Sequence, residues 1–443
     1  MLQFIRSIYL SERFFIAISV IVILFLISYW VTPLYGITWL IVLGLILLML
    51  MEISMLYSGK GLEGNRLLPE KFSNSDENEV NVLLKNKYRF AISVNLIDEL
   101  PIQFQKRDFN QQTAIAGKNS KTLQYYVRPV ERGEYIFGNM NCFVSSVISL
   151  VRRRYTFSNE QMVKVYPSFI QMKKYDFMAI DHRLSYAGLK KIRRIGHTME
   201  FEQIKDYVVG DDVRTVNWKA TAKNAKLMVN QYQDEKMQPV YSIIDTSRVM
   251  KMPFNELKLV DYAINSSLAF SNIALKKGDK VGMLDFSNEL GKFLPAKAKK
   301  THLNTILESL YNVDTKFLDA SYGKLQAFVK QHITHRSLLL LYTNFEHISS
   351  LHRQLPYLQA LAKKHVLVVI FFENTELKQL IEDPAHTVPE IVDQTIARQF
   401  EFDKKLMVLE LQQRGIQTVL TPPEDLTVNT INKYLEIKSR GLL

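Results

Sequence analysis

Two long apolar runs lie close to the start of the chain and distinguish it from the rest of the sequence. Residues 14–31 and 37–51 carry no charged side chain, and the second run continues past Glu52 as far as residue 57. As helices, residues 14–31 and 37–57 would cover about 27 Å and about 31 Å, close to the hydrocarbon thickness of a bilayer, about 30 Å. Proline and glycine in residues 32–36 favour a turn between them. The pattern predicts a two-helix membrane anchor over residues 1–57.

The basic residues that flank this anchor indicate its orientation. Arg6 and Arg13 precede it, Lys60 and Arg66 follow it, and the turn between the helices has no basic residue. Because lysine and arginine accumulate on the cytoplasmic side, we expect both chain ends in the cytoplasm. A cleaved signal peptide is the alternative for the first run, but this run is longer than a signal core and a second run follows directly. Glu52 is interpreted as marking the membrane boundary.

The spacing of apolar residues changes after the anchor. Residues 58–78 are rich in glycine, asparagine, serine and charge, and we expect a linker there. From residue 79 onward the apolar period is two, as in Val80, Val82 and Leu84, which is typical of half-buried strands. Such strands continue, with turn residues between them, and predict a small antiparallel β-sandwich over residues 79–168.

A third pattern begins at residue 240, where apolar strands alternate with helical stretches. Several of these strands are apolar almost throughout, as expected of parallel strands covered on both faces. We therefore predict an α/β fold, a doubly wound domain over residues 240–443, with residues 169–239 as a separate segment before it. The predicted strands are 240–244, 281–286, 337–342, 366–372 and 418–421, and the predicted helices are 255–276, 302–311, 322–332, 351–364, 389–414 and 429–438.

Composition and charge narrow the classes of partner. The chain has 443 residues, 47% hydrophobic and 23% charged, which excludes a disordered or low-complexity protein. A single cysteine, Cys142, excludes an intrachain disulfide framework and a cysteine-rich metal site. The net charge of +12 favours anionic partners. Next to a membrane anchor, the basic residues fit anionic lipid or protein more simply than nucleic acid. The clusters in question are residues 152–154, 173–174, 190–191 and 193–194.

Candidate chemistry is concentrated in the segment before the α/β domain. Asp211 and Asp212 follow a glycine, which is typical of a turn. Arg214 is spaced to pair with one of these carboxylates, and Trp218 supplies a large apolar body that we expect to pack under the loop. These residue types fit either a salt-bridged turn that pins the segment onto the α/β domain or a binding surface.

The pattern Gly-Asp-Asp-x-Arg-x-x-x-Trp-Lys of residues 210–219, with residues 227–229 and 243–250 after it, resembles the bacterial family called domain of unknown function 58 (DUF58). The hairpin, the sandwich and the α/β domain also fit the layout of that family. The resemblance implies a von Willebrand factor A-like C-terminal domain, which is Rossmann-like, in a protein of the bacterial cytoplasmic membrane. It further implies a MoxR-like AAA+ ATPase as partner. Asp211, Asp212, Arg214 and Trp218 are then the expected partner-binding residues.

The resemblance also implies a place for a divalent cation, which A-type domains often hold with Asp-x-Ser-x-Ser and with Thr and Asp from later loops. Asp245 and Ser247 match this pattern, but Val249 stands at the third position without a side-chain oxygen. Asn344 offers an amide where a carboxylate is usual, and Thr315 is a weak candidate for the middle loop. Because two contributions are missing, we expect a degenerate metal site and no cofactor, with Mg²⁺ as the cation if one binds. In the alternative, Asp245 caps a helix or bonds loop amides.

The leading hypothesis is a non-enzymatic, membrane-anchored docking platform with its soluble domains in the cytoplasm. It would work with a MoxR-like ATPase in assembly or chaperone-like maturation of envelope proteins, and its binding edge would include Asp245, Ser247 and Asn344. The sequence has no Walker A, Gly-x-Ser-x-Gly or His-Glu-x-x-His motif. One alternative is a metal-dependent hydrolase that uses Asp206 with the two aspartates of the turn, and another is a nucleic-acid-binding membrane protein.

Overall fold

The chain forms two compact units, Met1–Val165 and Tyr166–Leu443. A computed structural model describes residues 6–59, 61–157, 160–172, 199–209, 211, 213–234, 237–255 and 257–442. Several residues singled out above lie outside the described residues, namely Lys60, Asp212 and the basic pairs 173–174, 190–191 and 193–194.

The first unit begins with a short strand and two apolar helices. Strand β1 (Ile8–Leu10) leads into α1 (Glu12–Ser28), and α2 (Thr32–Tyr57) follows after a short turn with a proline in its first helical turn, where no N–H is needed. Within the described part of the chain, Pro33–Tyr57 is long and apolar enough to cross a membrane. Its side chains mostly point outward: Leu40, for example, is 68% exposed. An exposed apolar surface of this extent is typical of a membrane or protein contact.

The rest of this unit consists of antiparallel strands around an apolar core. One sheet has the order β1-β10-β9-β5-β6, and two smaller sheets have the orders β2-β4-β7 and β3-β11-β8. On β4, Val80, Val82 and Leu84 are fully buried, because alternate side chains of a strand point to the same face. The strands are β2 (Leu62–Leu67), β3 (Lys71–Ser73), β4 (Asn78–Asn86), β5 (Ile92–Asp98), β6 (Gln111–Ile115), β7 (Ser120–Val127), β8 (Gly133–Phe137), β9 (Met140–Ser145), β10 (Val151–Phe157) and β11 (Gln161–Tyr166).

The structure differs from the predicted linker over residues 58–78, which contain β2 and β3. Leu62 and Phe72 are buried in the core of this unit, so the segment belongs to the fold. Its polar composition is explained in part by a buried ion pair: the guanidinium of Arg66 contacts the Asp98 carboxylate at 2.5 Å, with both side chains fully buried. Composition alone does not distinguish such a pair from a solvated linker.

The second unit contains a six-stranded sheet with helices on both faces. The order is β18-β17-β14-β19-β20-β21, parallel except for the edge strand β18. On β19, Leu338 and Leu340 pack with one layer of helices and Leu339 and Leu341 with the other. The predicted α/β class is therefore confirmed. The strands are β14 (Pro239–Asp245), β15 (Pro253–Phe254), β16 (Leu257–Lys258), β17 (Lys280–Phe286), β18 (Leu290–Lys297), β19 (Leu338–Tyr342), β20 (Val366–Phe372) and β21 (Gln417–Thr421).

The helices of the two layers differ in length and in how far they are buried. One layer contains α4 (Leu259–Lys276), α5 (His302–Tyr311) and α10 (Leu426–Ser439), and the other contains α6 (Tyr322–His332), α7 (Ile348–Lys364) and α9 (Val388–Gln413). Helix α4 has buried residues on nearly all sides, whereas α8 (Thr375–Glu382), which packs on α9, has none.

A separate hairpin precedes the sheet. Strands β12 (Met199–Asp206) and β13 (Met228–Asp234) are antiparallel, and the short helix α3 (Trp218–Asn224) lies in the connection between them and packs on β13. The Asp-Asp turn and the tryptophan of the sequence pattern lie in this connection. The hairpin is thus the structural context of the pattern.

Candidate functional site

The first candidate site lies at the carboxyl ends of two neighbouring parallel strands. Asp245 is the last residue of β14, and Thr343 and Asn344 follow β19, which pairs directly with β14. Because carboxyl ends of parallel strands meet at one edge, the sheet brings these three side chains together. Ser247, which is predicted from the sequence to lie on the same edge, follows Asp245 by two residues.

Protein groups surround the carboxylate of Asp245, which is fully buried. Its Oδ1 accepts a hydrogen bond from the Ser247 N–H at 2.9 Å, and its Oδ2 accepts one from the Thr343 hydroxyl at 2.7 Å. The Tyr322 hydroxyl, from α6, donates to the Thr343 oxygen at 2.7 Å. Burial raises the pKa of Asp245, and the hydrogen bonds from Ser247 and Thr343 oppose that rise.

Asn344 is engaged by a lysine from α9. The ammonium of Lys404 donates to Asn344 Oδ1 at 2.6 Å and lies 5.6 Å from the centre of the Phe371 ring. Burial lowers the pKa of Lys404 to about 8, and the carboxylate of Glu346 opposes this shift. The edge of the sheet therefore carries a positive charge next to a neutral amide.

This donor set does not fit a divalent cation. Both oxygens of Asp245 already accept hydrogen bonds from protein groups, and Val249 contributes no oxygen. The Lys404 ammonium on Asn344 would repel a second cation at short distance. Among the described residues, no group of three or more His, Cys, Asp or Glu side chains is arranged to hold a metal ion. Thr315, the candidate for the middle loop, is half-buried in the stretch after α5, and its N–H donates to the Asp314 carboxylate at 2.8 Å.

A cavity of about 580 Å³ opens beside Lys404. Its volume falls in the range of small-molecule and side-chain pockets, about 300–1,000 Å³. The walls combine apolar side chains with charged groups near the opening, and Lys404 and Asn344 form part of the lining. The apolar part includes Met252, Phe254, Phe372, Leu377 and Phe400. The arrangement can accept an apolar group with an oxygen acceptor directed at the lysine.

Helix α9 also presents a row of large apolar side chains to solvent. At 100° per residue, the row lies within an arc of about 140°, and the core-facing residues Ala397, Met407 and Leu411 lie outside that arc. An exposed row of this length is unusual on a soluble helix. Its members, with their exposed fractions, are Val388 (74%), Ile391 (53%), Val392 (50%), Ile396 (49%), Phe402 (60%), Leu406 (39%) and Leu409 (55%).

In the second candidate site, the Asp-Asp turn, Asp211 has a structural role. Its carboxylate accepts hydrogen bonds from the Val208 N–H at 3.1 Å and from the Lys205 ammonium at 3.0 Å. The hydrogen bond from Val208, which has the larger effect, and the one from Lys205 hold the pKa of Asp211 below its ordinary value. Arg214 lies exposed in the next turn, and Asp212 lies outside the part of the chain that the structure describes.

Trp218 does not pack under the loop as predicted, because its side chain is 72% exposed. It is the first residue of α3, which Asn217 caps by accepting a hydrogen bond from the Ala220 N–H at 3.0 Å. The helix has seven residues and none of them is buried, so it offers the tryptophan no apolar neighbourhood. Three valines of the same connection are exposed as well: Val208 (62%), Val209 (94%) and Val213 (68%).

Tyr322, Lys404 and the outer row of α9 were not identified from the sequence as functional candidates. For Lys404 a signal was present: it stands at helical spacing with Ala397, Phe400, Met407 and Leu411, on the side of α9 that is otherwise apolar. A charged residue in a core stripe indicates a partly buried amine. Tyr322 gave no such signal, because an aromatic residue at the start of a helix is ordinary.

A comparison with protein families locates similarity in the second unit. Residues 203–405 match the family model described as protein of unknown function DUF58. The uncharacterized protein YeaD of Bacillus subtilis (strain 168) is 24% identical over 237 residues, which are 52% of this chain and 57% of YeaD. The alignment thus spans little more than half the length of that curated relative.

Two solved structures show lower similarity. The conserved hypothetical protein BatB from Bacteroides thetaiotaomicron is 13% identical, with a TM-score of 0.31, over 46% of this chain and 99% of BatB. The CARDB domain of PF1109 from Pyrococcus furiosus is 18% identical, with a TM-score of 0.17, over 24% of this chain and 94% of that domain.

Proposed function

The chain belongs to the DUF58 family, which its residues 203–405 match, and on this premise we propose that it is a membrane-anchored docking platform without catalytic activity. In this proposal the hairpin α1–α2 lies in the bacterial cytoplasmic membrane. The antiparallel strands β2–β11 of the first unit, which we call the antiparallel unit, form a β-sandwich spacer. The second unit is a von Willebrand factor A-like domain in the cytoplasm. Its partner is a MoxR-like AAA+ ATPase, with which it assists the assembly or maturation of envelope proteins.

The observation that carries this proposal is the exposure of large apolar side chains in the connection between β12 and β13. Four large apolar side chains within or directly before the family pattern of residues 210–219 are between 62% and 94% exposed, namely Val208, Val209, Val213 and Trp218. Exposed tryptophan beside basic and acidic groups is typical of binding surfaces, where it acts as an anchor residue. We call these four side chains with Asp211 and Arg214 the signature surface, and we assign partner binding to it.

The outer row of α9 supports the same function from a second position. The row covers much of a 26-residue helix, so a partner helix could pack along it by inserting its side chains between those of α9. The cavity at Lys404 lies on the inner side of the same helix. It could receive a carboxylate or amide side chain of the partner, with the lysine as hydrogen-bond donor.

A binding role accounts for these residues better than a hydrolase does. A hydrolase needs an open metal position or a free general base. Both Asp211 and Asp245 instead use their oxygens on protein donors, including backbone N–H groups. These carboxylates shape turns and loops next to the exposed apolar side chains.

The test is capture of the ATPase with the full chain in detergent or nanodiscs. We expect Trp218→Ser to abolish most of the capture of a purified MoxR-like ATPase, and Phe402→Ser to weaken it if α9 contributes. Ile136→Ser is a matched control, because Ile136 is also exposed (61%) but lies in the first unit, on β8. Loss of capture in all three variants, or unchanged capture by Trp218→Ser, would contradict the assignment to the signature surface.

A further inference from the structure

The loop of residues 146–150, between β9 and β10, is bound to the carboxyl-terminal part of α2. Glu52 of α2 is fully buried. It accepts hydrogen bonds from the three consecutive N–H groups of residues 149–151, at 2.9–3.0 Å, and from the Ser146 hydroxyl. Ser149 has a φ of +58°, a left-handed conformation that turns successive N–H groups toward one side. The loop is therefore fixed to the helix at Glu52.

The same loop is bound to the start of the first helix. The guanidinium of Arg13 donates to the carbonyl oxygens of Val147 at 3.3 Å and Ile148 at 3.2 Å. The N–H of Ser11 donates to the Leu150 carbonyl oxygen at 3.0 Å. The loop thus joins the beginning of α1 to the end of α2, at the point where the hairpin leaves the antiparallel unit.

The lengths of the helices give the depth of this loop relative to a bilayer. Glu52 and the residues after it lie against the antiparallel unit, where the side chains of Tyr88 and Arg153 both donate to the Leu56 carbonyl oxygen. The part of α2 before Glu52, residues 32–51, is about 30 Å long, which is the hydrocarbon thickness of a bilayer. Glu52 and the loop that binds it therefore lie at the level of the membrane surface.

The side chains at this level are apolar and face outward. Val147 is 78% exposed, and Leu10, at the end of β1 before the hairpin, is 40% exposed. Ile148 is partly exposed as well. Arg13 can extend its stem along this apolar surface while its guanidinium remains among the polar headgroups. Apolar side chains with an arginine beside them fit the interfacial region of a bilayer.

We propose that residues 146–150 form a membrane-contact loop, which inserts Val147 and Ile148 into the interfacial region of the bilayer. The inference rests on the proposed membrane anchoring of the hairpin. It adds that the antiparallel unit itself touches lipid and that the contact holds this unit at a fixed height against the surface. The partner is a lipid surface, since the loop continues the apolar surface of the two helices.

The test uses an environment-sensitive fluorophore on single introduced cysteines of the full chain. The natural Cys142 is fully buried, and burial raises the pKa of its thiol to about 12, so it reacts slowly. Val147→Cys reports on the loop, and Leu40→Cys, in the middle of α2, reports on the anchor. Ile102→Cys is the water-exposed control: Ile102 is 90% exposed and lies near the opposite end of β9, about 20 Å away.

The labelled proteins are reconstituted in vesicles of phosphatidylethanolamine and phosphatidylglycerol that contain spin-labelled lipids. We expect the emission of the label on Val147→Cys to shift to shorter wavelength, and to be quenched most strongly by spin labels near the headgroups. The label on Leu40→Cys should be quenched most strongly by spin labels deep in the bilayer. The label on Ile102→Cys should be quenched neither by the deep spin labels nor by those near the headgroups. Quenching at Leu40 without quenching at Val147 would overturn the loop proposal alone. Absence of quenching at Leu40 would overturn the anchoring and the loop proposal with it.

Discussion

Lys404 occupies a position on α9 that otherwise carries core residues, and its surroundings determine its protonation. The amine bonds a neutral amide, Asn344, at 2.6 Å, and burial lowers its pKa to about 8. The native state therefore holds this proton less tightly than the unfolded chain, in which the pKa is 10.5. The contribution of Lys404 to stability is lowest below pH 8 and increases as the pH rises toward 10.5.

We expect acylation of Lys404 to follow a pH profile with its midpoint near pH 8. Only the free amine reacts, so its rate should level off above that pH, whereas an ordinary lysine continues to gain about tenfold per pH unit until about pH 10.4. Mass spectrometry of the acylated peptide measures the rate. Lys405, the exposed neighbour on the same helix, serves as the control within the same peptide. Equal profiles for the two lysines would contradict the environment described here.

The buried pair Arg66–Asp98 is the second residue-scale feature that sequence patterns did not reveal. Arg66 was interpreted as a marker of membrane orientation, but its side chain is fully buried beside Asp98, which also accepts a hydrogen bond from the Tyr125 hydroxyl at 2.6 Å. Burial raises the pKa of Asp98, and Arg66 opposes this rise. Neither residue has a local sequence signature, because 32 positions separate them.

Replacing Arg66 by methionine should destabilise the chain by about 3–5 kcal/mol, since it leaves the buried carboxylate of Asp98 without its cation. Urea denaturation of the full chain in detergent, followed through the fluorescence of the first unit, measures the change. In the double variant Arg66→Met/Asp98→Leu the unpaired charge is absent, and we expect much of the stability to return. If the double variant is no more stable than the single one, the pair does not act as described.

At the scale of elements, apolar patterns identified the interior of the second sheet. Strands β14, β17, β19, β20 and β21 coincide with the predicted runs to within one residue. The first four are buried on both faces, and β21, which is half-buried, still directs Val419 to one apolar cluster and Leu420 to the other. The edge strand β18 and the short helix α8 were missed. Side chains of β18 are largely exposed or half-buried, so its apolar alternation is weak. Helix α8 has Leu377, Leu380 and Ile381 at helical spacing, but its eight residues are too few for a helix to be predicted from the pattern alone. Residues 133–144 form two strands, because the turn at 138–139 interrupts the alternation.

Helix α9 begins with a capping box that should stabilise its first turn, where part of the outer row lies. The Thr387 hydroxyl accepts from the Glu390 N–H, and the Glu390 carboxylate accepts from the Thr387 N–H at 3.1 Å. We expect Thr387→Ala to cost about 1 kcal/mol locally and to speed hydrogen exchange of the first-turn amides about fivefold. Thr395→Ala, in the middle of the same helix, is the control and should leave those amides unchanged. An equal effect of both changes would exclude the cap as the cause.

At the scale of the whole molecule, the order of the parallel strands along the chain could be predicted from the sequence, but the packing of helices and the exposure of side chains could not. Asp245, Ser247 and Asn344 could be placed together, since the order of parallel strands brings their carboxyl ends to one edge. The position of Lys404 at that edge depends on how α9 packs on the sheet, and the spacing of residues in the sequence does not determine this packing. Trp218 is exposed because α3 is too short to cover it, and its apolar character alone predicted burial.

The proposed membrane topology gives a prediction for the full chain. The turn between α1 and α2 has no basic residue, and its Trp30 is 78% exposed, while Arg6 and Arg13 precede the hairpin and Lys60 follows it in the sequence. Because this charge asymmetry keeps basic ends in the cytoplasm and places aromatic residues at the interface, the turn should face outward. In whole bacterial cells, an impermeant maleimide should label Trp30→Cys. Phe317 is 75% exposed in the second unit, and we expect Phe317→Cys to be labelled only after permeabilisation. The opposite pattern of labelling would place the signature surface outside the cell and separate it from any cytoplasmic ATPase.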